Sequence, residues 1–342
     1  MTDVLAEPPA EAAVARPRVG FLGVGWIGRN RLQAVAETGA VDIAGVADSS
    51  EEMTRQALAA APGAEAAASL ADLLRLDLDG VVIATPSALH AGQAIAALEA
   101  GCAVFCQKPL GRTAAEARAV VEAARRVDRL LAVDLSYRFT EGMRRIRELV
   151  RAGDLGRVFA VDLVFHNAYG PDKPWFYDPV QSGGGCVMDL GVHLVDLALW
   201  VLDFPQIVGV DSVLLAGGEP LRGRRDRVED YAVATLTLQT GAVVRIACSW
   251  RLHAGCDADI VAAFHGDAGG ATLRNVGGSF YDFTAERCRG TAREMLAEPP
   301  DAWGGRAAAD WARRLAAGQR FDPEAGRLVA VSEALDRIYR GG

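Results

Sequence analysis

Lysine is almost absent from this sequence. Of 36 basic residues only Lys108 and Lys173 are lysines, and the other 34 are arginines. A compact ammonium whose pKa can be tuned is therefore available at two places only, because a guanidinium stays protonated. Long apolar runs are missing too. Stretches such as Gly80–Thr85 fall far short of the roughly 20 residues needed to span a bilayer, which argues against a membrane protein. The six cysteines (Cys102, Cys106, Cys186, Cys248, Cys256 and Cys288) contain no Cys-x-x-Cys pair and no histidine partner at zinc spacing. Buried free thiols in a reducing cytoplasm are the simpler reading. Positive charge is in deficit, with a net charge of −8, so nucleic acid is excluded as a partner while neutral or cationic small molecules are admitted. Residues 1–16 carry acids, alanines and Pro8-Pro9 but neither the basic start nor the apolar core of a signal peptide. They read as a disordered leader.

What is present is enough chain, 342 residues, for two domains at about 150 residues each. Over residues 17–139 short apolar runs alternate with helical stretches. Strands are expected at Arg18–Gly23, Val41–Ala47, Gly80–Thr85, Cys102–Cys106 and Leu130–Leu135, and helices at Trp26–Thr38, Glu51–Ala61, Leu70–Leu76, Ser87–Ala100 (capped by Ser87) and Ala114–Val127 (capped by Thr113). Such alternation implies a doubly wound parallel sheet covered on both faces. Over 140–342 strand-like runs follow one another: Val158–Asn167, Val208–Leu215, Tyr231–Thr240, Val243–Trp250, Asp259–Phe264 and Ala271–Asn275. Helices are expected at Gly142–Ala152, Met188–Leu202, Arg306–Ala317 and Pro323–Arg340. This is an α+β domain with a large, mostly antiparallel open sheet, whose last helix is expected to pack back on the first domain.

Three clusters carry chemistry. Gly23-Val24-Gly25-Trp26-Ile27-Gly28 joins the first strand to the first helix, and Asp48 follows the second strand 20 residues after Gly28. That context turns a weak G-x-G-x-x-G into a dinucleotide site: Gly23 for the tight turn, Gly25 for close approach of the pyrophosphate, Gly28 for helix–strand packing, Asp48 for the ribose. Asp48-Ser49-Ser50, with no adjacent arginine, favours NAD over NADP. Thr85-Pro86 with His90 and Gln107-Lys108-Pro109 lie at strand C-termini, where such sheets bind ligands; His90 is more simply structural, and Lys108 in that crevice is more than a surface lysine. The third cluster is the triple glycine 183–185 followed by Asp189 and His193, four apart on one helical face. The glycines are read as admitting a ligand. No third metal ligand gathers there, and helix capping by Asp189 and an acid–base pair remain.

Taken together, these motifs, with Glu229-Asp230-Tyr231 leading into a strand, resemble the glucose–fructose oxidoreductase/inositol dehydrogenase (Gfo/Idh/MocA) family from about Arg18 onward. The resemblance implies an α/β Rossmann domain followed by the α+β substrate and oligomerisation domain, with Lys108, Asp189 and His193 as the catalytic set. The cofactor would contact Gly23, Gly25, Trp26, Ile27, Gly28, Asp48, Ser49, Thr85, Pro86, His90, Gln107 and Lys108. The family usually has glutamate before this lysine; Gln107 departs from it, and either lowers the Lys108 pKa or marks an altered or lost activity.

Substrate information is expected in the loop 167–178, with Tyr169, Lys173, Trp175 and Asp178 joining Arg138 and His193 as binding residues. The family points to sugars and cyclitols. Acidic charge near the loop admits an aminosugar or aminoglycoside, whereas Arg222, Arg224, Arg225 and Arg227 admit a phosphorylated or nucleotide-linked sugar. The arginine-, alanine- and glycine-rich composition suits an actinomycete-like antibiotic pathway. The expected activity is reversible, NAD-dependent oxidation of a secondary alcohol by a cytoplasmic homodimer or homotetramer. The alternatives are a non-catalytic dinucleotide-binding regulator and an NAD-dependent redox glycosidase.

Overall fold

The computed structural model describes residues 15–223 and 226–341. The expected leader, except its last two residues, and Arg224 and Arg225 lie outside the described residues. Six strands, β1 (Arg18–Leu22), β2 (Asp42–Ala47), β3 (Glu65–Ala67), β4 (Gly80–Ile83), β5 (Ala103–Cys106) and β6 (Leu131–Val133), form a parallel sheet in the order β3-β2-β1-β4-β5-β6. Strand β4 is buried throughout, which is why it reads as a continuous apolar run rather than an alternating one. Helices α1 (Trp26–Ala36), α2 (Glu51–Ala60), α3 (Leu70–Leu73), α4 (Ser87–Glu99) and α5 (Ala114–Val127) connect the strands. The order reverses between β1 and β4, and doubly wound sheets bind ligands in the crevice at that switch point.

Beyond α6 (Glu141–Arg151), a nine-stranded sheet holds β7 (Val158–Asn167), β8 (Ile207–Ala216), β9 (Glu219–Pro220), β10 (Tyr231–Leu238), β11 (Val243–Ser249), β12 (Ala258–Gly266), β13 (Gly270–Asn275), β14 (Phe283–Arg289) and β15 (Ala292–Ala297) in the order β15-β14-β13-β12-β7-β11-β10-β8-β9. Only β7 and β11 pair in parallel. Alternate residues of β10, Ala232, Ala234, Leu236 and Leu238, are buried, the period-two signature of a sheet packed on one face. That face meets α6 and α8 (Val192–Val201), after the short α7 (Pro179–Ser182). The one described helical stretch long and apolar enough to cross a membrane, Pro179–Val201, is mostly buried inside this core.

The structure departs from the expected division at residue 139. Helix α9 (Arg306–Ala316) lies on the parallel sheet, where Trp311 is fully buried 5.9 Å from Phe105, ring centre to ring centre. Gly80 makes room for it, since a Cβ there would sit 2.8 Å from the indole. Helix α10 (Gly326–Gly341) contacts α5 as well as β8 and α8, with Leu328 and Val329 against one core and Leu335 and Ile338 in the other. Ser87 does not cap α4; Pro86 holds the cap position with extended backbone, and Ser87 is the buried first helical residue. Thr113 does cap α5, accepting from the Glu116 N–H.

Candidate active site

A cavity of about 1820 Å³ opens at the C-terminal edge of the parallel sheet and runs to the nine-stranded unit. Its floor is the glycine loop. Gly23 has φ +82°, and a Cβ there would meet the Ala84 carbonyl oxygen at 2.5 Å; a Cβ on Gly28 would lie 2.0 Å from the Gly23 oxygen. Both glycines are fixed by the protein's own packing. Gly25 differs, because nothing lies within 4 Å of its Cβ direction and the residue lines the cavity. The space left bare there fits a pyrophosphate approaching the α1 N-terminus. Asp48 ties the loop to β2, its Oδ2 accepting from Val24 N at 2.7 Å and its Oδ1 from Ser50 N at 2.9 Å. Trp26, Ile27, Ser49, Thr85 and Pro86 line the same groove. His90 is buried and bridges two turns, Nδ1 lying 2.7 Å from the Pro109 oxygen and Nε2 2.7 Å from the Thr85 oxygen. Burial lowers its pKa, and the two carbonyls oppose that shift.

Lys108 and Asp189, 81 residues apart, meet on the cavity wall. The Lys108 Nζ donates to Asp189 Oδ1 at 2.6 Å and to the Asp189 backbone oxygen at 2.7 Å. The expected single helix from Met188 is broken here: Val187–Gly191 form a π turn before α8. A π turn bonds at a step of five residues, widening the turn, so the four-residue spacing to His193 does not stack the two side chains as in an α-helix. Accordingly Asp189 is engaged by Lys108 and by the Trp250 Nε1, which donates to Oδ2 at 3.1 Å. His193 is packed edge-on to Tyr137, 4.9 Å between ring centres. Its Nδ1 is buried without a partner among the described residues, leaving Nε2 as the nitrogen open to a ligand. Burial, reinforced by the Lys108 and Arg31 charges, holds its pKa well below 6.5, so the ring is a neutral imidazole at neutral pH.

The triple glycine serves packing rather than the close approach of a ligand. A Cβ on Gly183 would meet Arg112 at 2.7 Å, on Gly184 the Tyr339 hydroxyl at 1.9 Å, and on Gly185 the Glu229 carbonyl oxygen at 1.9 Å. Buried Glu229 then organises the turn: its carboxylate accepts from Gly185 N, from Val187 N and from the Tyr339 hydroxyl at 2.8 Å. Burial raises its pKa against those donors. Gln107 donates to Asp134 Oδ2, which also accepts from Arg31 Nε at 2.5 Å, and all three residues are buried.

Among the residues expected to bind substrate, Lys173 and Trp175 line the cavity, Lys173 paired with Asp172 at 2.9 Å and Trp175 stacked on Phe176. Three do not reach it. The Arg138 guanidinium is taken up by buried Asp196 and lies against Trp200 and Phe204. Tyr169 is exposed and donates to Asp257, and Asp178 caps α7 through the Val180 N–H. Tyr137, Trp250, Glu229, Asp134 and Arg31 were not foreseen as parts of the site. Of these, Glu229 was marked as part of a motif leading into a strand, and Asp134 lay inside the expected strand Leu130–Leu135, which ends at Val133. No cluster of three metal-ligating side chains occurs among the described residues.

Residues 17–135 match the model of the oxidoreductase family with NAD-binding Rossmann fold, and residues 143–272 match the Gfo/Idh/MocA C-terminal domain. The chain is 31% identical to Escherichia coli K12 D-glucoside 3-dehydrogenase over 59% of this chain and 60% of that one. It is also 31% identical to an Amycolatopsis mediterranei protein provisionally named as a UDP-kanosamine synthase oxidoreductase subunit, over 75% of each. Among solved structures, GenD2 from gentamicin A biosynthesis in complex with NAD superposes with a TM-score of 0.79 at 25% identity, covering 98% of this chain and 97% of that one. Levoglucosan dehydrogenase with NADH and levoglucosan gives 0.81 at 21% identity, covering 95% and 97%. The chain belongs to the Gfo/Idh/MocA family of oxidoreductases.

Proposed function

We propose that the protein is an NAD-dependent dehydrogenase that oxidises a secondary alcohol of a sugar, cyclitol or aminosugar to a ketone. The observation that carries this reading is the Lys108–Asp189 pair set beside neutral His193 on one wall of the cavity. The loop fits the dinucleotide: Gly25 leaves room for the pyrophosphate, and Asp48 brings a carboxylate that disfavours a 2′-phosphate. Bound NAD supplies the hydride acceptor. His193 takes the hydroxyl proton, which a neutral imidazole can do and an imidazolium cannot. Lys108 donates a hydrogen bond to the substrate oxygen as negative charge develops on it. Asp189, itself held by Trp250, accepts from the ammonium and aims it.

The aromatic wall of Trp175, Phe176, Phe280 and Tyr281 suits the apolar face of a ring. The names of the relatives, glucoside, kanosamine and gentamicin among them, support a sugar or aminosugar, with antibiotic assembly as the finer reading. Free thiols support a cytoplasmic setting. Val213 and Val243, exposed on the open face of the large sheet, support pairing of two copies there; light scattering measures the mass. The deciding experiment is absorbance at 340 nm with NAD and a panel of cyclitols, sugars, aminosugars and aminoglycosides. A signal with one class establishes the activity, and Lys108→Ala should abolish it while NAD binding persists. Retained turnover in that variant would remove Lys108 from the mechanism. Silence across the panel with NAD still bound would favour the glycosidase or regulatory reading.

A further inference from the structure

The Gln107 side chain has a partner whose charge explains its own neutrality. Gln107 and Asp134 are each the first residue beyond a strand, β5 and β6, and Arg31 comes from α1. All three are nearly inaccessible, at 7%, 1% and 5% exposure. One carboxylate oxygen, Asp134 Oδ2, accepts from both Arg31 and Gln107, so the cluster holds one negative and one positive charge, the arrangement in which buried ions persist. Sheet hydrogen bonding reaches Gln107 through its N–H to the Ile83 oxygen. Beyond that point Lys108 is bracketed by two hydrogen-bonded ties among the described residues: the Gln107 side chain before it, and the Pro109 oxygen held by His90 after it.

We propose that Arg31 and Asp134 are positioning residues that act through Gln107 to hold Lys108 against Asp189, and that residue 107 must be an uncharged donor because residue 134 already carries the carboxylate. A glutamate at 107 would set two carboxylates around one guanidinium and remove the donor to Asp134. In the exchanged pair, glutamate at 107 with asparagine at 134, the amide donates in the opposite direction and Arg31 keeps one counter-charge. The catalytic meaning of this assignment rests on the dehydrogenase reading, but its test does not.

The chain's two lysines supply a readout independent of turnover. Lys108 has a side chain 19% exposed and bound to Asp189, whereas that of Lys173 is 64% exposed. Acetylation under limiting reagent, followed by peptide mass spectrometry, gives both rates in one sample, with thermal melts and NAD titration alongside. In the parent, Lys108 should label more slowly than Lys173. In Gln107→Glu and Gln107→Met the Lys108 rate should rise about tenfold, the change expected for losing one hydrogen bond to a charged group, with Lys173 unchanged. The exchange Gln107→Glu/Asp134→Asn should restore slow labelling and, where the parent is active, raise kcat above that of Gln107→Glu alone. A Lys108 rate unmoved in the folded single variants, or an exchange no better than Gln107→Glu alone, would overturn the assignment. If neither single variant folds, a folded, slow-labelling exchange supports it and an unfolded one overturns it. A parent inactive on every alcohol but showing this labelling pattern would sink the dehydrogenase reading and leave the positioning assignment standing.

Discussion

Gly25→Ala separates what the glycine loop does for the fold from what it does for the ligand. Gly25 has φ −60°, open to any residue, and its added Cβ meets no protein atom within 4 Å. Two small effects on stability then oppose each other. Alanine reduces the freedom of the unfolded chain, worth about 0.4–1 kcal/mol. It is also a poorer N-cap than glycine, by an amount of similar order. The net change should stay within about 1 kcal/mol, or a shift in Tm of roughly 1–2 °C for a protein of this size. Binding should respond quite differently. The methyl group enters the space where the pyrophosphate approaches the α1 amides, and losing one hydrogen bond to a charged group, at about 1.5–3 kcal/mol, weakens NAD by roughly ten- to two-hundredfold. Differential scanning fluorimetry and calorimetric titration of NAD measure the two effects on one preparation. An unchanged NAD affinity would show that the phosphates do not lie on this loop. A large fall in Tm would show that Gly25 serves packing, as Gly28 does.

The opposite outcome is expected at Gly184→Ala, whose Cβ falls 1.9 Å from the buried Tyr339 hydroxyl: Tm should drop by several degrees, through overpacking of about 1–3 kcal/mol, and a thermal melt matching the parent would refute the packing role. Tyr339→Phe leaves Glu229 without its hydroxyl donor and should destabilise by about 1–3 kcal/mol, read by denaturant unfolding. Titration of both cofactors should show NAD binding more tightly than NADP, and Asp48→Ala should narrow the difference while weakening NAD, because the same carboxylate holds Val24. Acidification provides a further test. His193 has its pKa depressed in the folded state, so the unfolded chain binds the extra proton first, and stability falls as pH drops below about 6.5. His193→Asn should make that part of the Tm–pH curve less steep, His90 keeping its own share, and an unaltered slope would show that the His193 ring is not held neutral.

Much of the first unit was legible because a parallel sheet buries its strands on both faces and leaves unbroken apolar runs, and because a dinucleotide loop places glycines at fixed offsets. The strands β14 and β15 were not legible. Every residue of β15 is at least partly exposed, so no alternation marks it. The purpose of glycines 183–185 was misjudged for a more general reason: a missing side chain leaves the same mark in a sequence whether the neighbour is a ligand or, as here, Tyr339 and Glu229 from far along the chain. Arg138 was misplaced because its partner Asp196 lies 58 residues away, and an arginine near a site looks free until its carboxylate is found. The meaning of Gln107 was likewise hidden until Asp134 and Arg31 stood beside it.

The return of α9 to the parallel sheet bears on how the protein is made. Residues 17–139 contain all six strands of the nucleotide-binding sheet, yet one face of that sheet, covered in part by Leu32, Val35 and Ala57, is completed only when Trp311, Ala308 and Ala312 arrive. A buried tryptophan alone covers about 150–250 Å², worth roughly 4–6 kcal/mol at 25 cal/mol per Å², a large share of the stability of any domain. During synthesis the first unit therefore waits, with Phe105 incompletely covered, until nearly the whole chain has left the ribosome. A fragment ending at residue 139 would expose that same surface and aggregate, however complete its strands.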